Sequence, residues 1–364
     1  MATYFIACGG TGGHLYPGLA VAERLHKNGN RVRLFVSPKP IDQEILKAHP
    51  EFESTIVHLS GWPGIGLKLI PFLIRFYKAF IESGNLLKSE MPVGVLGMGG
   101  FSCVPLLLAS SLRKIPTFIH ESNVIPGKAT ILLSKWVDKV LIGFESCKTR
   151  LPGRKTEWTG TPVRSALHQP QRAEALRHWG IEDDKTIIGV MGGSQGATGV
   201  NRLVLGAIEM LPEIKNKVLF LHLTGSGAEE KVRASYEKKG WNAKVMPFCH
   251  EMEYIYGAAD FVIARSGAAT LTECAWFGLP AILIPYPYAA EDHQTYNAKE
   301  YTEQGGGLIV HEGTEGAVSQ LANVIKDLTT DKQRRVRMKE IVIQNRIDDA
   351  VNNVVKELMH PYAK

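Results

Sequence analysis

The chain has 364 residues, of which 45% are hydrophobic and 21% are charged, and it carries a formal net charge of +6. This length exceeds what one hydrophobic core usually serves, so two domains are expected. Because no apolar run approaches the roughly 20 residues that span a bilayer, and no basic region precedes an apolar one at the N-terminus, we expect neither a transmembrane segment nor a signal peptide.

The first predicted strand, Thr3–Ala7, ends in the glycine-rich turn Cys8-Gly9-Gly10-Thr11-Gly12-Gly13-His14, which opens a helix. Backbone N–H groups and the helix dipole converge at such a turn and favour a bound anion. A dinucleotide fingerprint would need glycine where Leu15 stands, and the chain contains no P-loop motif. The turn therefore indicates either a site for a polar or phosphorylated ligand or a tight strand-to-helix connection.

The rest of the first half alternates strands with helices, which predicts a parallel α/β sheet. Strands are predicted at 31–36, 92–96, 117–119 and 139–142, and polar or glycine-rich segments follow strands at 97–101, 120–123 and 159–164. Ligands bind at the carboxyl ends of the strands in open α/β sheets. We therefore expect these segments to face one crevice.

An unusual apolar segment lies at residues 66–80, with three cations and no acid before Glu82. One interpretation is a core helix. The other is a helix that rests on a membrane surface, with its cations on anionic headgroups. The missing acids favour the second, with membrane contacts predicted at Lys68, Leu69, Phe72, Leu73, Arg75 and Phe76.

The second half repeats this architecture after a linker near 166–184. A strand at 186–191 leads into the turn Gly192-Gly193-Ser194-Gln195-Gly196-Ala197 and a helix, and further strands are predicted at 218–223, 243–246, 260–264, 281–284 and 307–310. From about residue 317 the sequence is helical to its end. Two doubly wound α/β domains that face each other across a cleft are the simplest architecture.

Two segments of the second half have the composition of ligand sites. In Arg265–Glu273 a strand ends and a helix begins, so backbone donors and Thr270 suit a diphosphate, and Glu273 can accept two hydrogen bonds from a ribose diol. The alternative is a capped helix with a surface glutamate. The segment 285–298 is a long polar loop rich in groups that hydrogen-bond sugars.

Charge distribution limits the kinds of partner expected, and cysteine content indicates the redox compartment. Residues 1–165 carry 20 Lys and Arg against 11 Asp and Glu, a net +9, whereas residues 166–364 carry 22 against 25, a net −3. The first half should therefore meet the more anionic partner, a lipid surface or a phosphate, and the lack of a nucleic-acid motif predicts no nucleic acid. The cysteines at 8, 103, 147, 249 and 274 lack zinc or C-x-x-C spacing, which favours a reducing compartment.

Six coupled motifs, which span nearly the whole chain, resemble those of the MurG family of bacterial N-acetylglucosaminyltransferases. They are Gly9–His14 with Pro17-Gly18; His120-Glu121-x-Asn123 with Pro126-Gly127; Pro162-Val163-Arg164; Gly192–Ala197; Arg265–Ala268 with Thr270 and Glu273; and His293-Gln294-x-x-Asn297-Ala298. Two positions depart from the family pattern, with Ser122 in place of the usual glutamine and Phe101 in place of tyrosine. Neither departure removes a group that we expect to carry chemistry.

The resemblance implies a GT-B fold and a division of labour between its domains. Residues 1–163, joined by a C-terminal helix at about 343–364, would face the acceptor and the membrane, and residues 164–342 would bind UDP-GlcNAc. Donor contacts are implied at Thr11, Gly12, Gly13 and Asn123 on the N-terminal side; at Arg164, Ser194 and Gln294 from the cleft and second domain; at Ala268, Ala269, Thr270 and Glu273 for diphosphate and ribose; and at the backbone near Phe248 and Cys249 for uracil.

The implied reaction moves GlcNAc from UDP-GlcNAc to the 4-hydroxyl of MurNAc in lipid I, with inversion, to form lipid II for peptidoglycan synthesis. It needs a general base, for which we predict His14 first and Glu121 second, with His120 structural. The chain has no Asp-x-Asp motif. We therefore predict no active-site metal and no cofactor, with UDP stabilised by backbone amides and Arg164.

The same resemblance implies a peripheral protein on the cytoplasmic face of the bacterial plasma (inner) membrane, with roles in cell wall biogenesis, cell shape and cell division. Two alternatives come from other classes. One is another GT-B enzyme that acts on a UDP-sugar, either a glycolipid transferase or a UDP-GlcNAc 2-epimerase. The other is a UDP-sugar sensor without catalytic activity.

Overall fold

The computed structural model describes residues 1–10, 12–59, 61–64, 66–164, 167–193 and 196–360. The chain divides into two compact units, the first formed by Met1–Ser165 with Ile347–Lys364 and the second by Ala166–Arg346. The boundaries expected from the sequence, at 163/164 and about 343, lie within a few residues of these. Which unit serves which substrate remains a prediction.

In the described part of the first unit, seven parallel strands form one sheet in the order β3-β2-β1-β4-β5-β6-β7. The strands are β1 (Thr3–Ala7), β2 (Arg31–Val36), β3 (Glu53–Ile56), β4 (Gly94–Gly97), β5 (Thr117–Glu121), β6 (Lys139–Ile142) and β7 (Thr156–Trp158). In the central register, Ile6 lies beside Leu34 on one side and Leu96 on the other.

Helices cover both faces of this sheet. They are α1 (Gly12–Lys27), α2 (Pro40–Lys47), α3 (Leu69–Glu90), α4 (Val104–Leu112), α5 (Lys128–Leu133) and the last helix of the chain, Ala350–Met359. Alternate residues of β1 point to opposite faces. Phe5 and Ala7 join the core under α3, α4 and α5, and Tyr4 and Ile6 join the core under α1 and the last helix.

The described part of the second unit has six parallel strands in the order β10-β9-β8-β11-β12-β13. The strands are β8 (Thr186–Met191), β9 (Val218–Leu223), β10 (Asn242–Met246), β11 (Phe261–Ala264), β12 (Ala281–Leu283) and β13 (Gly307–Ile309). The helices are α6 (Arg172–Trp179), α7 (Thr198–Glu209), α8 (Glu229–Lys239), α9 (Met252–Ala258), α10 (Ala268–Phe277), α11 (His293–Glu303), α12 (Ala317–Thr330) and α13 (Lys332–Asn345). Ile188 and Val190 of β8 pack against apolar residues of α7.

The predicted strands are confirmed, and several bounds coincide with the prediction, including those of β2, β6, β8 and β9. The strands β3 and β7 were missed by sequence reasoning. Both are edge strands of the first sheet, and their residues are mostly exposed or half-buried. An edge strand buries little apolar surface, so its sequence lacks the hydrophobic run that identifies the central strands.

Across the described ranges, none of the helices combines the length and apolar character that crossing a membrane requires.

Candidate active site

The first glycine turn is held in place by a buried carboxylate from α2. Asp42 Oδ2 accepts hydrogen bonds from Gly10 N–H at 3.1 Å, from Ser37 N–H at 3.0 Å and from Ser37 Oγ at 2.6 Å. A Cβ on Gly9 would lie 2.2 Å from Ser37 N, so this position requires glycine. The turn therefore presents the first residues of α1, Gly12 and Gly13, from a fixed position. Thr11, a predicted donor contact, lies outside the described residues.

His14 lies in the first turn of α1, where its half-buried ring contacts the second glycine turn of the first unit. A Cβ would lie 3.3 Å from His14 Nε2 if built on Gly99 and 3.4 Å from Cε1 if built on Gly100, and both glycines have positive φ. Burial lowers the pKa of His14, and the nearby Glu121 carboxylate partly opposes this effect. The imidazole is therefore neutral at neutral pH, the form that a general base needs.

The carboxylate of Glu121, the second candidate base, accepts four hydrogen bonds from its own loop and from α5. Its Oε1 accepts from Asn123 N–H at 3.0 Å and from Asn123 Nδ2 at 3.1 Å, and its Oε2 accepts from Gly127 N–H at 2.9 Å and from Thr130 Oγ1 at 2.7 Å. A carboxylate has about four lone-pair sites, and four donors occupy them. This geometry does not favour Glu121 as the base, a role that stays a prediction. Glu121 instead fixes the loop between β5 and α5 that carries Asn123.

His120 is structural, as predicted. Its ring is fully buried, Nε2 donates to the Gly160 carbonyl oxygen at 2.9 Å, and Nδ1 accepts from Ser122 Oγ at 3.3 Å. Burial lowers the pKa of His120 as well. The serine at 122 therefore has a role of its own here, since it supports the tautomer with the proton on Nε2.

Arg164 lies with the first unit and not with the second domain, to which the predicted boundary assigned it. Its guanidinium carbon is 4.8 Å from the centroid of the Tyr16 ring on α1. A cation over an aromatic face is favourable, so Tyr16 holds this charge beside the helix that also carries His14. The structure thus brings together His14, Arg164 and the first glycine turn.

In the second unit, a glycine turn again precedes a helix. Gly196 N–H donates to the Gly193 carbonyl oxygen at 2.9 Å, which closes the turn between β8 and α7. Ser194, a predicted donor contact, and its neighbour Gln195 lie outside the described residues. A strand, a glycine turn and a helix N-terminus thus follow one another here, and this is the arrangement that favours a bound anion.

The start of α10 is the second predicted phosphate site. Ala268 is buried, and Ala269, Thr270 and Glu273 are half-buried in the first turns of the helix. Glu273 lies one turn beyond Ala269, and its Oε2 accepts a hydrogen bond from the Tyr256 hydroxyl at 2.7 Å. The predicted diphosphate group at the start of α10 and the predicted ribose group therefore lie within two turns of the same helix.

Gln294 is tied to this helix start. Ser266 Oγ, fully buried, donates to the Gln294 carbonyl oxygen at 2.8 Å, and Asn297 Nδ2 donates to the Ser266 carbonyl oxygen at 3.2 Å. Gln294 Oε1 accepts from Tyr286 N–H at 3.0 Å. Because the oxygen faces Tyr286, the carboxamide presents its NH₂ group on the other side, as a donor.

Sequence reasoning placed Arg265 in a motif without giving it a role, and it missed Glu312, the partner with which Arg265 joins these loops. Arg265, only 7% exposed, donates from Nη1 to the carbonyl oxygens of Ile284 and Pro285 at 3.1 Å each and from Nη2 to Glu312 Oε2 at 2.6 Å. It thereby connects the ends of β11, β12 and β13. The available signal was an arginine directly after one apolar strand and a glutamate soon after another.

The predicted uracil segment lies between β10 and α9. Cys249 is buried, while Phe248 is exposed and its ring packs edge-on against His250 at 4.8 Å. The reading of the uracil edge by this backbone stays a prediction. Elsewhere in the described residues, no group of three or more His, Cys, Asp or Glu side chains is placed to hold a metal ion.

The predicted membrane contacts on α3 need correction. Phe72 is 7% exposed and packs in the core with Trp62 and Phe76, and Leu69 and Phe76 are half-buried against the same core. Leu73, Lys68 and Arg75 are exposed. The exposed apolar face of α3 is Ile70, Leu73, Ile74 and Tyr77, which follow helical spacing. The apolar segment at residues 66–80 is thus partly core and partly surface.

Exposed apolar side chains continue on the neighbouring helices of the same layer. We define the α3–α5 surface by Ile70, Leu73, Ile74, Tyr77, Leu112, Ile131, Leu132 and Trp136. Exposed cations border it at Lys68, Arg75, Lys78, Arg113, Lys114 and Lys135. So many exposed apolar side chains with a basic border are typical of an interaction site.

Comparison with known proteins gives one family for both halves. Residues 4–142 match the glycosyltransferase family 28 N-terminal domain, and residues 187–354 match the C-terminal domain of the same family. The UDP-N-acetylglucosamine–N-acetylmuramyl-(pentapeptide) pyrophosphoryl-undecaprenol N-acetylglucosamine transferase of Geobacter sulfurreducens is 36% identical over 357 residues, which cover 97% of each chain.

Solved structures agree on the fold. The crystal structure of Acinetobacter baumannii MurG has a TM-score of 0.80 at 27% identity and covers 99% of each chain. A UDP-GlcNAc 2-epimerase from Neisseria meningitidis bound to UDP-GlcNAc has a TM-score of 0.70 at 15% identity, over 99% of this chain and 100% of that one. At that identity, the second likeness shows the fold alone.

Proposed function

The chain belongs to glycosyltransferase family 28, and we propose that it transfers N-acetylglucosamine from UDP-GlcNAc to the MurNAc-pentapeptide of undecaprenyl-pyrophosphate-linked lipid I, forming lipid II. Its fold is GT-B, with two parallel-sheet α/β domains. The observation that carries the proposal is the 36% identity, over 97% of both chains, to a relative that bears the name of this transferase.

We assign the donor to the second unit. The N–H groups at the start of α10, with Thr270, suit the diphosphate, and the Glu273 carboxylate suits the ribose hydroxyls. The Gln294 NH₂ group, oriented by Tyr286 N–H, suits a sugar hydroxyl oxygen. The backbone near Cys249 is proposed to read the uracil edge, and Ser194 to contact the diphosphate.

We assign the chemistry on the acceptor to His14. As the MurNAc 4-hydroxyl oxygen attacks the anomeric carbon, the neutral imidazole takes the hydroxyl proton. The bond from that carbon to the UDP phosphate oxygen breaks with inversion, and its electron pair leaves with UDP. The lowered pKa of His14 keeps the ring unprotonated at neutral pH, so the base is ready without a prior proton loss.

The departing UDP gains negative charge, which positive groups must stabilise. We propose that the helix N-terminus at α10 and the Arg164 guanidinium supply this stabilisation, with Gly12, Gly13 and Asn123 contributing from the first unit. Tyr16 holds the Arg164 cation in position. No metal is required in this scheme.

We propose that the α3–α5 surface rests on the cytoplasmic face of the plasma membrane. Its apolar side chains would enter the interface, and its border of cations would meet anionic headgroups. The net +9 of residues 1–165 supports this placement. A lipid-linked acceptor is anchored in that membrane, so attachment of the enzyme raises the encounter rate.

Acceptor-dependent transfer of labelled GlcNAc to lipid I tests the proposal and separates it from its rivals. A 2-epimerase, which shares the fold, would convert UDP-GlcNAc without any acceptor. A UDP-sugar sensor would bind the nucleotide without turnover.

A further inference from the structure

We propose that Tyr256 is a positioning residue that orients the Glu273 carboxylate toward the ribose diol and so sets the selectivity of the site for nucleotides with ribose hydroxyls. This inference rests on the proposed placement of the donor on α10. Tyr256 lies on α9, outside every motif that the sequence singles out, and it does not itself contact the donor in this account.

The contact between the two side chains is short and comes from a rigid partner. The Tyr256 hydroxyl donates to Glu273 Oε2 at 2.7 Å, and Tyr256 is 2% exposed. Its ring lies 5.1 Å from that of Phe277, which follows Glu273 by one turn on the same face of α10. The hydroxyl is therefore held over the face of α10 from which Glu273 projects.

The helix that carries Tyr256 is itself anchored. Tyr254 of α9 stacks on His178 of α6, with ring centroids 4.0 Å apart and planes 4° apart. The Tyr256 ring itself is 2% exposed and packs against Phe277, so it cannot follow a rotating carboxylate without disturbing that contact. Glu273 is half-buried on a helix surface and has three side-chain torsions, so an external donor decides the plane of its carboxylate.

Orientation has a consequence for binding. A carboxylate that accepts two hydrogen bonds from a vicinal diol must present its oxygens in the plane of the two hydroxyls. When the carboxylate is already fixed in the free protein, nucleotide binding does not include the entropic cost of ordering this side chain. The benefit is restricted to ligands with ribose hydroxyls, because a nucleotide without them makes no such contact.

The experiment compares the affinities of UDP and 2′,3′-dideoxy-UDP by isothermal titration calorimetry on the full chain. Wild-type protein should prefer UDP. Tyr256→Phe keeps the ring and removes the hydroxyl, and it should weaken UDP binding by about tenfold, the scale of one hydrogen bond to a charged group, while dideoxy-UDP binding changes by less than about twofold. The ratio of the two affinities therefore falls about fivefold or more.

Tyr301→Phe is the matched control. It removes another buried hydroxyl of the second unit, one that donates to the Leu279 carbonyl oxygen at 2.8 Å, and it should leave the UDP to dideoxy-UDP ratio unchanged. A second test introduces Tyr256→Phe into the Glu273→Gln variant. There it should weaken UDP binding by less than about a further twofold, because the effects of residues that act through one another are not additive.

An unchanged ratio in Tyr256→Phe overturns the inference, whatever happens to the melting temperature, because a purely structural tyrosine would affect both ligands equally. Full additivity with Glu273→Gln overturns it too. If wild-type protein binds neither nucleotide, the proposed function fails instead, and this outcome is distinct from both of the others.

Discussion

The Arg265 guanidinium and the Glu312 carboxylate form a buried ion pair, with Nη2 2.6 Å from Oε2, between residues 47 positions apart in the chain. The same arginine holds the two carbonyl oxygens that follow β12. One pair thus fixes the loops at the ends of three neighbouring strands, and these loops lead into the predicted donor groups at α10 and Gln294.

Arg265→Met should lower the free energy of unfolding by about 2–3 kcal/mol, because it removes the donor of two buried carbonyl oxygens and of the largely buried Glu312 carboxylate, which keeps the more distant Arg202 at 3.7 Å. Urea denaturation measures this change. Lys326→Met is the matched control, since it breaks an exposed, solvent-screened pair with Glu213 and should change the free energy of unfolding much less. Equal losses in the two variants would show that the Arg265 pair is not structural.

His14→Ala should lower kcat by about 10²–10⁴-fold, the usual contribution of a general base, with UDP affinity retained. His26→Ala, at the exposed last turn of the same helix, is the control and should leave kcat unchanged. Steady-state kinetics with saturating donor make the comparison. A kcat of His14→Ala within about tenfold of wild type would rule out the base role.

The pH profile of kcat/KM tests the same residue independently. Burial lowers the pKa of His14 below its usual 6.5. The value of kcat/KM should therefore be constant from neutral pH down to pH 6.5 and should decrease only at lower pH, where the ring becomes protonated. An acid limb centred above pH 6.5 would contradict this assignment.

The α3–α5 surface should hold the protein on anionic membranes. Leu73→Glu with Ile74→Glu should abolish sedimentation with phosphatidylglycerol vesicles and leave UDP affinity intact, because both side chains are half exposed and face away from the core. Val336→Glu, an exposed apolar position on α13, is the control and should still sediment. Unchanged vesicle binding in the double variant would refute the membrane role of α3.

Stability should fall as the solution becomes acidic, and His222 should account for part of the loss. Burial between Tyr236 and Asn201 lowers the pKa of His222 to about 3. Below pH 6.5 the unfolded chain therefore binds a proton that the folded chain does not, which destabilises the fold by about 2 kcal/mol at pH 5. Between pH 7.5 and pH 5, the free energy of unfolding measured by urea denaturation should therefore fall less in His222→Gln than in wild type, by this amount. An equal loss in both proteins would contradict the assignment.

The sequence was sufficient where structure is local. A strand, a glycine turn and a helix N-terminus are set by neighbouring residues, so Gly9–His14 and Gly192–Ala197 could be identified from their spacing alone. Central strands such as Thr186–Met191 carry apolar runs because both of their faces are buried. The edge strands Glu53–Ile56 and Thr156–Trp158 lack that signal.

The sequence was insufficient where a side chain's role depends on distant partners. Glu121 shares a short motif with His120 and Asn123, which made it a candidate base, yet the more distant Gly127 and Thr130 complete its hydrogen bonds. On α3 the apolar residues run nearly all round the helix, so periodicity could not tell the buried Phe72 from the exposed Leu73. The Arg265 and Glu312 pair joins segments that only the folded sheet brings together.

The most direct test of the transferase assignment combines purified protein, labelled UDP-GlcNAc and lipid I in anionic vesicles. We expect label to move into the lipid fraction as lipid II, with one UDP released for each GlcNAc transferred and no transfer when lipid I is omitted. Absence of labelled lipid II with active acceptor present, or conversion of UDP-GlcNAc without any acceptor, would contradict it.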